Sequence, residues 1–280
     1  MKHERLILIF FTLFSIQAAV AQEVSVLTYN IKFATPNDSL NSWEHRKGFL
    51  TAQLRFYGPD VFGTQEGLIG QLREIAEALP DYKFVGTGRD FGDTRGEHTA
   101  LFYNTRRVKL LEQGTFWLSE TPGEPSKGWD AALPRICTYG VFKMKGSGKT
   151  FLVLNTHFDH IGEIARTESA RLLLEKIKAL NPKDYPVILM GDLNLEPDKE
   201  GIQLLKKELE DTHETAGARA FGPEGTFNGF RFTEPVTRRI DYIFTGKGDF
   251  KVIKSGILSD SKGCRYPSDH FPVYAELDFN

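Results

Sequence analysis

The stretch PVILMGDLNLEP, Pro186 to Pro197, begins as a buried strand and ends in groups that a core excludes. Val187 to Met190 are apolar, and Gly191, Asp192, Leu193 and Asn194 follow. Side chains alternate along a strand, so Asp192 and Asn194 share a side if the strand runs on through them. A carboxylate and a carboxamide at the end of an apolar strand cost free energy unless something pairs with them. Gly, Asp and Asn are also ordinary turn residues, so the stretch alone fits a turn as well as a site.

Working outward, other apolar or β-branched runs end in the same way. VSVLTYN ends in Asn30, VFGTQE in Glu66, and FLVLNTHFDH runs into Asn155, His157, Asp159 and His160. RIDYIF carries Asp241 near its start, and SDHFPVYAEL carries Asp269 and His270. Each has a dull explanation by itself, a turn cap or a surface hydrogen bond. Six strands that all deliver Asn, Asp, Glu or His at an edge predict a cleft lined by carboxylates, imidazoles and amides. Glu66, Asp192, Asp241 and Asp269 are hard oxygen donors, which favour magnesium or manganese over zinc. Beside such carboxylates, imidazole and amide groups can hold a phosphate and move protons. GSGKT (Gly146 to Thr150) lacks the spacing of a phosphate-cradling loop and reads as a hairpin turn. No Gly-x-Ser-x-Gly elbow is present.

The remaining strand-like runs are Lys83 to Val85, Thr99 to Tyr103, Ile136 to Met144 and Lys251 to Ile257. Helical periodicity covers Trp43 to Tyr57, Leu68 to Leu79, Ile164 to Leu180 and Lys199 to Leu209. Helices early and in the middle, with strands to the end, suit two packed sheets flanked by helices better than a regularly alternating parallel fold. Asp90 to Glu97, Ser119 to Leu133 and Thr212 to Phe232 are weakly patterned and read as surface loops.

Composition bounds the function class. The chain has 280 residues, 40% hydrophobic and 26% charged, with 22 Phe for an aromatic-rich core. Lys2 and Arg5 precede an apolar run from Leu6 to Val20, and Ala19-Val20-Ala21 offers small residues for a signal peptidase. Residues 1–21 therefore read as a signal peptide and 22–280 as one domain, with the mature protein periplasmic or secreted. Cleavage takes Lys2, Glu4 and Arg5 with it and moves the formal charge from −2 to −3. Mild net acidity argues against a non-specific nucleic-acid binder. Cys137 and Cys264 could join in an oxidising compartment or stay apart as small hydrophobes.

TYNI, TQE, NTHFDH, GDLN, RIDYIF and SDHFPV, in this order, resemble the endonuclease/exonuclease/phosphatase superfamily. The DNase-like resemblance covers Val24 to Leu277 and looks most like the secreted bacterial branch near the nocturnin-like deadenylases. It implies an α/β, four-layer αββα sandwich of two mostly antiparallel sheets, with the active site at one rim. Carried over by position, it implies that Glu66 binds Mg2+ (or Mn2+), with Asn30 and Asp269 nearby. Asp192 would activate water or assist the leaving group, and Asn194 and His157 would contact the phosphate. His270 would stabilise charge on phosphorus, polarised by Asp241, and Glu97 would orient His157. His98, Arg135, Asp159, His160 and Arg166 are candidates for substrate contact, and Asn30 would also face the substrate. Phe227 and Phe230 would wall the pocket or pack in the core.

The implied reaction is hydrolysis of a phosphodiester or phosphomonoester by in-line attack of water. The substrate is a nucleic acid, a nucleotide or a small phosphorylated metabolite, with no membrane anchor or obligate protein partner. Alternatives are a sphingomyelinase-like phospholipid phosphodiesterase and a binding module that keeps the fold without the chemistry.

Overall fold

Alternating burial builds the molecule from strand faces. In a computed structural model, residues 23–280 are described; the signal-peptide reading of residues 1–21 lies outside them. The first half of the chain runs β1 (Glu23–Asn30), α1 (Trp43–Tyr57), β2 (Val61–Gln65), α2 (Ile69–Ala78), β3 (Tyr82–Val85), β4 (Leu101–Asn104), β5 (Val108–Trp117) and β6 (Ile136–Met144). Then come β7 (Thr150–His157), α3 (Glu163–Leu180), β8 (Val187–Asp192), α4 (Glu200–Glu208), β9 (Leu209–Asp211) and the short α5 (Thr212–Ala216). Strands β10 (Ala220–Phe221), β11 (Asp241–Gly246), β12 (Phe250–Ile257) and β13 (Val273–Phe279) close the chain.

Two mixed sheets result, ordered β10-β12-β13-β1-β2-β4-β3 and β5-β6-β7-β8-β11-β9. Their facing sides meet in a core that includes Val24, Val26, Val61, Val153, Ile188, Met190, Ile243 and Val273. The opposite face of the first sheet buries Leu27, Tyr29 and Phe62 against Leu50 and Leu54 of α1 and Leu72 and Ile75 of α2. The opposite face of the second buries Leu152, Leu154 and Leu189 against Leu173 and Ile177 of α3 and Ile202 and Leu205 of α4. These are the four layers, αββα, of the expected sandwich.

Topology explains why the polar strand ends meet. β1 runs parallel to β2, and β7 parallel to β8, so all four finish at one rim. β11 and β13 are antiparallel to their neighbours β8 and β1, so they start there. Register then aligns His157 with Asp192 and Asp192 with Asp241 across β7, β8 and β11. One layer below that rim the two sheets are clasped by amides. Asn155 donates to the carbonyls of Thr64 and Ala100 at 3.0 Å and accepts from Gln65 at 2.6 Å, and Gln65 also donates to Thr28 at 3.0 Å. Gly63 belongs to this clasp, because a Cβ there would run into the Asn155 carboxamide.

Several sequence expectations shift. β5 was not anticipated: it lies at a sheet edge, is half exposed and carries a register irregularity between Leu110 and Glu112, so no clean period survives. The region Thr212 to Phe232, expected as a loop, contains α5 and β10, both too short to show a period. The hairpin turn at Gly146 to Thr150 does join β6 and β7, closed by Met144 N–H to the Lys149 carbonyl at 2.8 Å. Cys137 is buried and Cys264 exposed, and both are free thiols. No helix of the described residues is long and apolar enough to cross a membrane.

Candidate active site

Strand β8 stops at Asp192, which is why the opening stretch is not a simple alternation. Gly191 has φ 150°, and a Cβ there would meet the Thr156 carbonyl of β7, so only glycine fits beside this strand. Asn194 turns left-handed at φ 48°, and the Asp192 carboxylate accepts its backbone N–H at 2.9 Å. The turn brings the Asn194 carboxamide to 3.2 Å from His157 Nε2 and into a hydrogen bond with the Phe158 carbonyl. Asp192 and Asn194 therefore reach the same cleft, one from the strand and one from the turn. Glu66, just past β2, is also left-handed at φ 63°, an uncommon conformation for a residue with a side chain and one that clusters at functional sites.

Three groups of side chains converge. Asn30 Nδ2 lies 3.1 Å from Glu66 Oε1 and 3.0 Å from Asp192 Oδ2, linking the two sheets. The other Glu66 oxygen accepts from Phe33 N–H at 3.1 Å, with Lys32 Nζ 4.0 Å away. Across the cleft, His270 Nδ1 meets Asp241 Oδ2 at 2.9 Å, and its Nε2 is 3.8 Å from Asp192 Oδ2. His157 Nε2 approaches the same Asp192 oxygen at 3.5 Å. Burial alone would lower the His270 pKa, but Asp241 and Asp192 outweigh it and raise it to about 10. Burial pushes the other way at Asp192, whose carboxyl rises with Asp241 beside it. Burial and the charges of Arg135 and Arg89 lower His157 well below its ordinary value, so it is neutral near pH 7.

Arg135 organises the third group. Its Nη1 lies 3.2 Å from His157 and its Nη2 2.9 Å from His160 Nδ1, while Nε meets Asp159 Oδ2 at 3.3 Å. Asp159 is a buried anchor beneath it. Burial opposes its ionisation, yet the N–H groups of Gly162 and Ile161, with Arg135, hold its carboxyl well below the usual range. The cleft these groups line has a volume of about 400 Å³, and its wall includes Glu66, Asp269, His157, His160, Arg135 and Phe227.

Not every candidate reaches it. His98 is 1% exposed, off the cleft wall, and its Nδ1 sits 3.2 Å from the Gly67 carbonyl. Glu97 is on the wall but forms a two-point pair with Arg89, at 2.7 and 2.9 Å; Arg135 and Asn194 are the partners of His157. Arg166 lines an adjoining groove instead. Phe227 meets the His270 ring edge-on at 5.1 Å, whereas Phe230 lies by Arg46. Sequence reasoning missed Arg46, which is buried and donates to the carbonyls of Ile31, Lys32 and Pro267. That fan pins the segments carrying Asn30 and Asp269; an Arg near the start of an amphipathic helix gives no such signal. It also missed Lys32 and Arg89 on the cleft wall.

The donor set fits a divalent cation. Carboxylates Glu66, Asp192, Asp241 and Asp269 crowd a space where Lys32, His270 and the buried Arg46 are the cations acting on them. Asp241 Oδ1 is buried without a partner, and ligand atoms of Asp192, Asp241 and His270 lie within 4.8 Å of one another. With His270 held as an imidazolium, the oxygen donors Glu66, Asn30 and Asp269 remain for the metal, a set that suits magnesium or manganese.

A two-sheet αββα sandwich with acids, amides and imidazoles gathered at one rim is the fold of a phosphoesterase superfamily. Residues 27–270 match the Endonuclease/Exonuclease/phosphatase family, and the chain belongs to it. It is similar to a solved endonuclease/exonuclease/phosphatase family protein of Bacteroides thetaiotaomicron, with TM-score 0.88 and 42% identity over 92% of this chain and 95% of that one. A mannosyl-6-phosphatase of the same organism is similar at TM-score 0.86 and 42% identity, over 91% of this chain and 100% of that one. Nocturnin of Drosophila melanogaster is 22% identical over 287 residues, covering 87% of this chain and 43% of that protein, so the chain spans less than half the length of that relative.

Proposed function

We propose that the protein is an exported, divalent-metal-dependent phosphomonoesterase that releases phosphate from a phosphorylated sugar. The observation that carries this reading is the pairing of charge around the cleft. A nuclease needs unpaired cations along the path of a phosphate backbone. Here most of the basic residues bordering the site are already matched, Arg89 by Glu97, Arg171 by Glu168 and Glu200, and Arg238 by Glu196, with Arg166 as the exception that has no carboxylate partner. The 42% identity with the mannosyl-6-phosphatase, across nearly the whole of both chains, supports a sugar phosphate over a nucleotide. Export rests on the leader-like sequence of residues 1–21.

Glu66, Asn30 and Asp269 would hold Mg2+ or Mn2+, which when bound supplies positive charge for the phosphate oxygens. Asn194, His157 and Arg135 orient the phosphate from the opposite wall. His157 is neutral and so positions without adding charge, while Arg135 supplies a fixed positive fork suited to phosphate. Asp192, with its raised pKa, takes the proton of the attacking water. Imidazolium His270, fixed by Asp241, stabilises charge developing on the phosphoryl oxygens.

The test is phosphate release from mannose 6-phosphate beside cleavage of single- and double-stranded oligonucleotides, with magnesium, for wild type and Asp192→Ala. Hydrolysis of the sugar ester that changes little between low and moderate salt, and falls by about 10²–10⁴ in the variant, is the expected result. Oligonucleotide cleavage that weakens steeply with salt, with the sugar phosphate untouched, would replace this reading with a nuclease.

A further inference from the structure

Beside the catalytic cleft lies a second, larger concavity of about 690 Å³, between the start of α3 and the start of α4. The two are continuous, because His160, Asn194 and Arg238 line both. A cleft of about 400 Å³ already falls in the range of roughly 300–1,000 Å³ that encloses a whole small ligand. The further volume is therefore room that a monosaccharide phosphate leaves empty.

Its lining has an unusual balance. Acidic Glu163, Glu168, Glu196 and Glu200 alternate with basic Arg166, Arg171, Lys199 and Arg238. Arg171 is shared between Glu168 at 3.2 Å and Glu200 at 3.0 Å, and Arg238 faces Glu196 at 3.5 Å. Such a surface has little net field for a polyanion or a polycation, but it is dense in fixed donors and acceptors. Arg166 Nε is buried without a partner, and its guanidinium makes one long contact, 3.4 Å to the Asp159 carbonyl. Ile164, 58% exposed, gives the groove an apolar edge. A neutral chain with hydroxyls on its edges and C–H groups on its faces matches these features; a nucleic acid or a lipid tail does not.

We propose that this groove is a subsite for the unphosphorylated sugar units attached to the phosphorylated one, so that the preferred substrate is a phosphorylated oligosaccharide. The inference rests on the phosphorylated-sugar reading above and deepens it. The phosphate sits against Arg135 and His157, and the chain leaves past His160, Asn194 and Arg238 into the groove.

The test pairs kinetics with binding. Phosphate release is compared between mannose 6-phosphate and a mannobiose phosphorylated on one sugar, and unphosphorylated mannotriose is titrated by calorimetry. Each is repeated with Thr167→Trp, which fills the groove, and with Arg171→Ala, a truncation at an exposed helix position. Expected are a kcat/KM at least tenfold higher for the disaccharide ester, expressed mainly in KM, and measurable mannotriose binding. Both variants should bring the ratio of the two esters close to one and weaken mannotriose binding at least fivefold. Equal kcat/KM values with no mannotriose binding at millimolar concentration would overturn the subsite and leave the phosphatase reading standing. Mannotriose binding lost in the variants, with neither ester hydrolysed, would uphold the subsite and remove that reading. Failure of hydrolysis and binding together would remove both.

Discussion

At the scale of single residues, His270 has its protonation fixed by two neighbouring carboxylates. Asp241 and Asp192 keep it an imidazolium to about pH 10, against the burial that would discharge it. Asp241→Asn removes the nearer charge while keeping an oxygen for Nδ1. The His270 pKa should then fall towards the ordinary histidine value of about 6.5, and the alkaline limb of the pH–rate profile should move towards neutrality. Activity lost at pH 8 should exceed that lost at pH 6; an equal loss at both would show that Asp241 acts only through geometry. Much of this site is legible in the sequence, because Asn30, Glu66, His157, Asp192, Asp241, Asp269 and His270 each sit where an apolar run ends. Arg135 and Phe227 are named from the sequence as well, and both reach the cleft wall, but other basic residues are not legible. Arg46 and Arg89 announce nothing in sequence, since their roles come from carbonyls and carboxylates folded next to them, at Pro267 in one case and Glu97 in the other.

At the scale of elements, the clasp between sheets is the polar layer that the rim depends on. Asn155→Leu keeps the volume but removes the side-chain donor of the Thr64 carbonyl and one of the two partners of the Ala100 carbonyl and of the Gln65 amide. A buried polar group stripped of a partner costs about 1–3 kcal/mol, so a loss of ~3 kcal/mol is expected in urea unfolding. A midpoint unchanged from wild type would mean that water replaces the amide there. The four long helices and most central strands follow from periodicity because each buries one whole face. β5 escapes because an edge strand with a bulge mixes both faces, and β9, β10 and α5 are shorter than any period that could betray them.

For the whole molecule, the concentration of carboxylates at one rim makes stability depend on pH and on divalent ions together. Burial and Asp241 raise the folded pKa of Asp192, so its contribution is present below about pH 4 and is lost as pH rises through that raised value. The contribution of His270 is present below about 6.5 and is lost as pH rises through about 10. Metal-free protein should therefore lose Tm from about pH 7 to pH 9, above the range in which the depressed pKa of His157 acts with the opposite sign. Magnesium should raise Tm more at the alkaline end, where the carboxylates it neutralises are ionised. An increment that is larger at pH 5 would contradict the cluster as the binding place. The two thiols supply a second global readout: Cys264 should react with a thiol reagent in the native protein and Cys137 only on unfolding, because one is exposed and the other buried. Simultaneous protection of both would point to the bridge that the structure does not contain.

The link from Asn30 to Asp192 spans 162 positions, and the Ser268 hydroxyl reaches back 238 positions to the Asn30 carbonyl at 2.7 Å. No local segment holds a working fraction of the chemistry. A growing chain stays inert while both halves emerge, and switches on only when the closing strand seats itself beside the first.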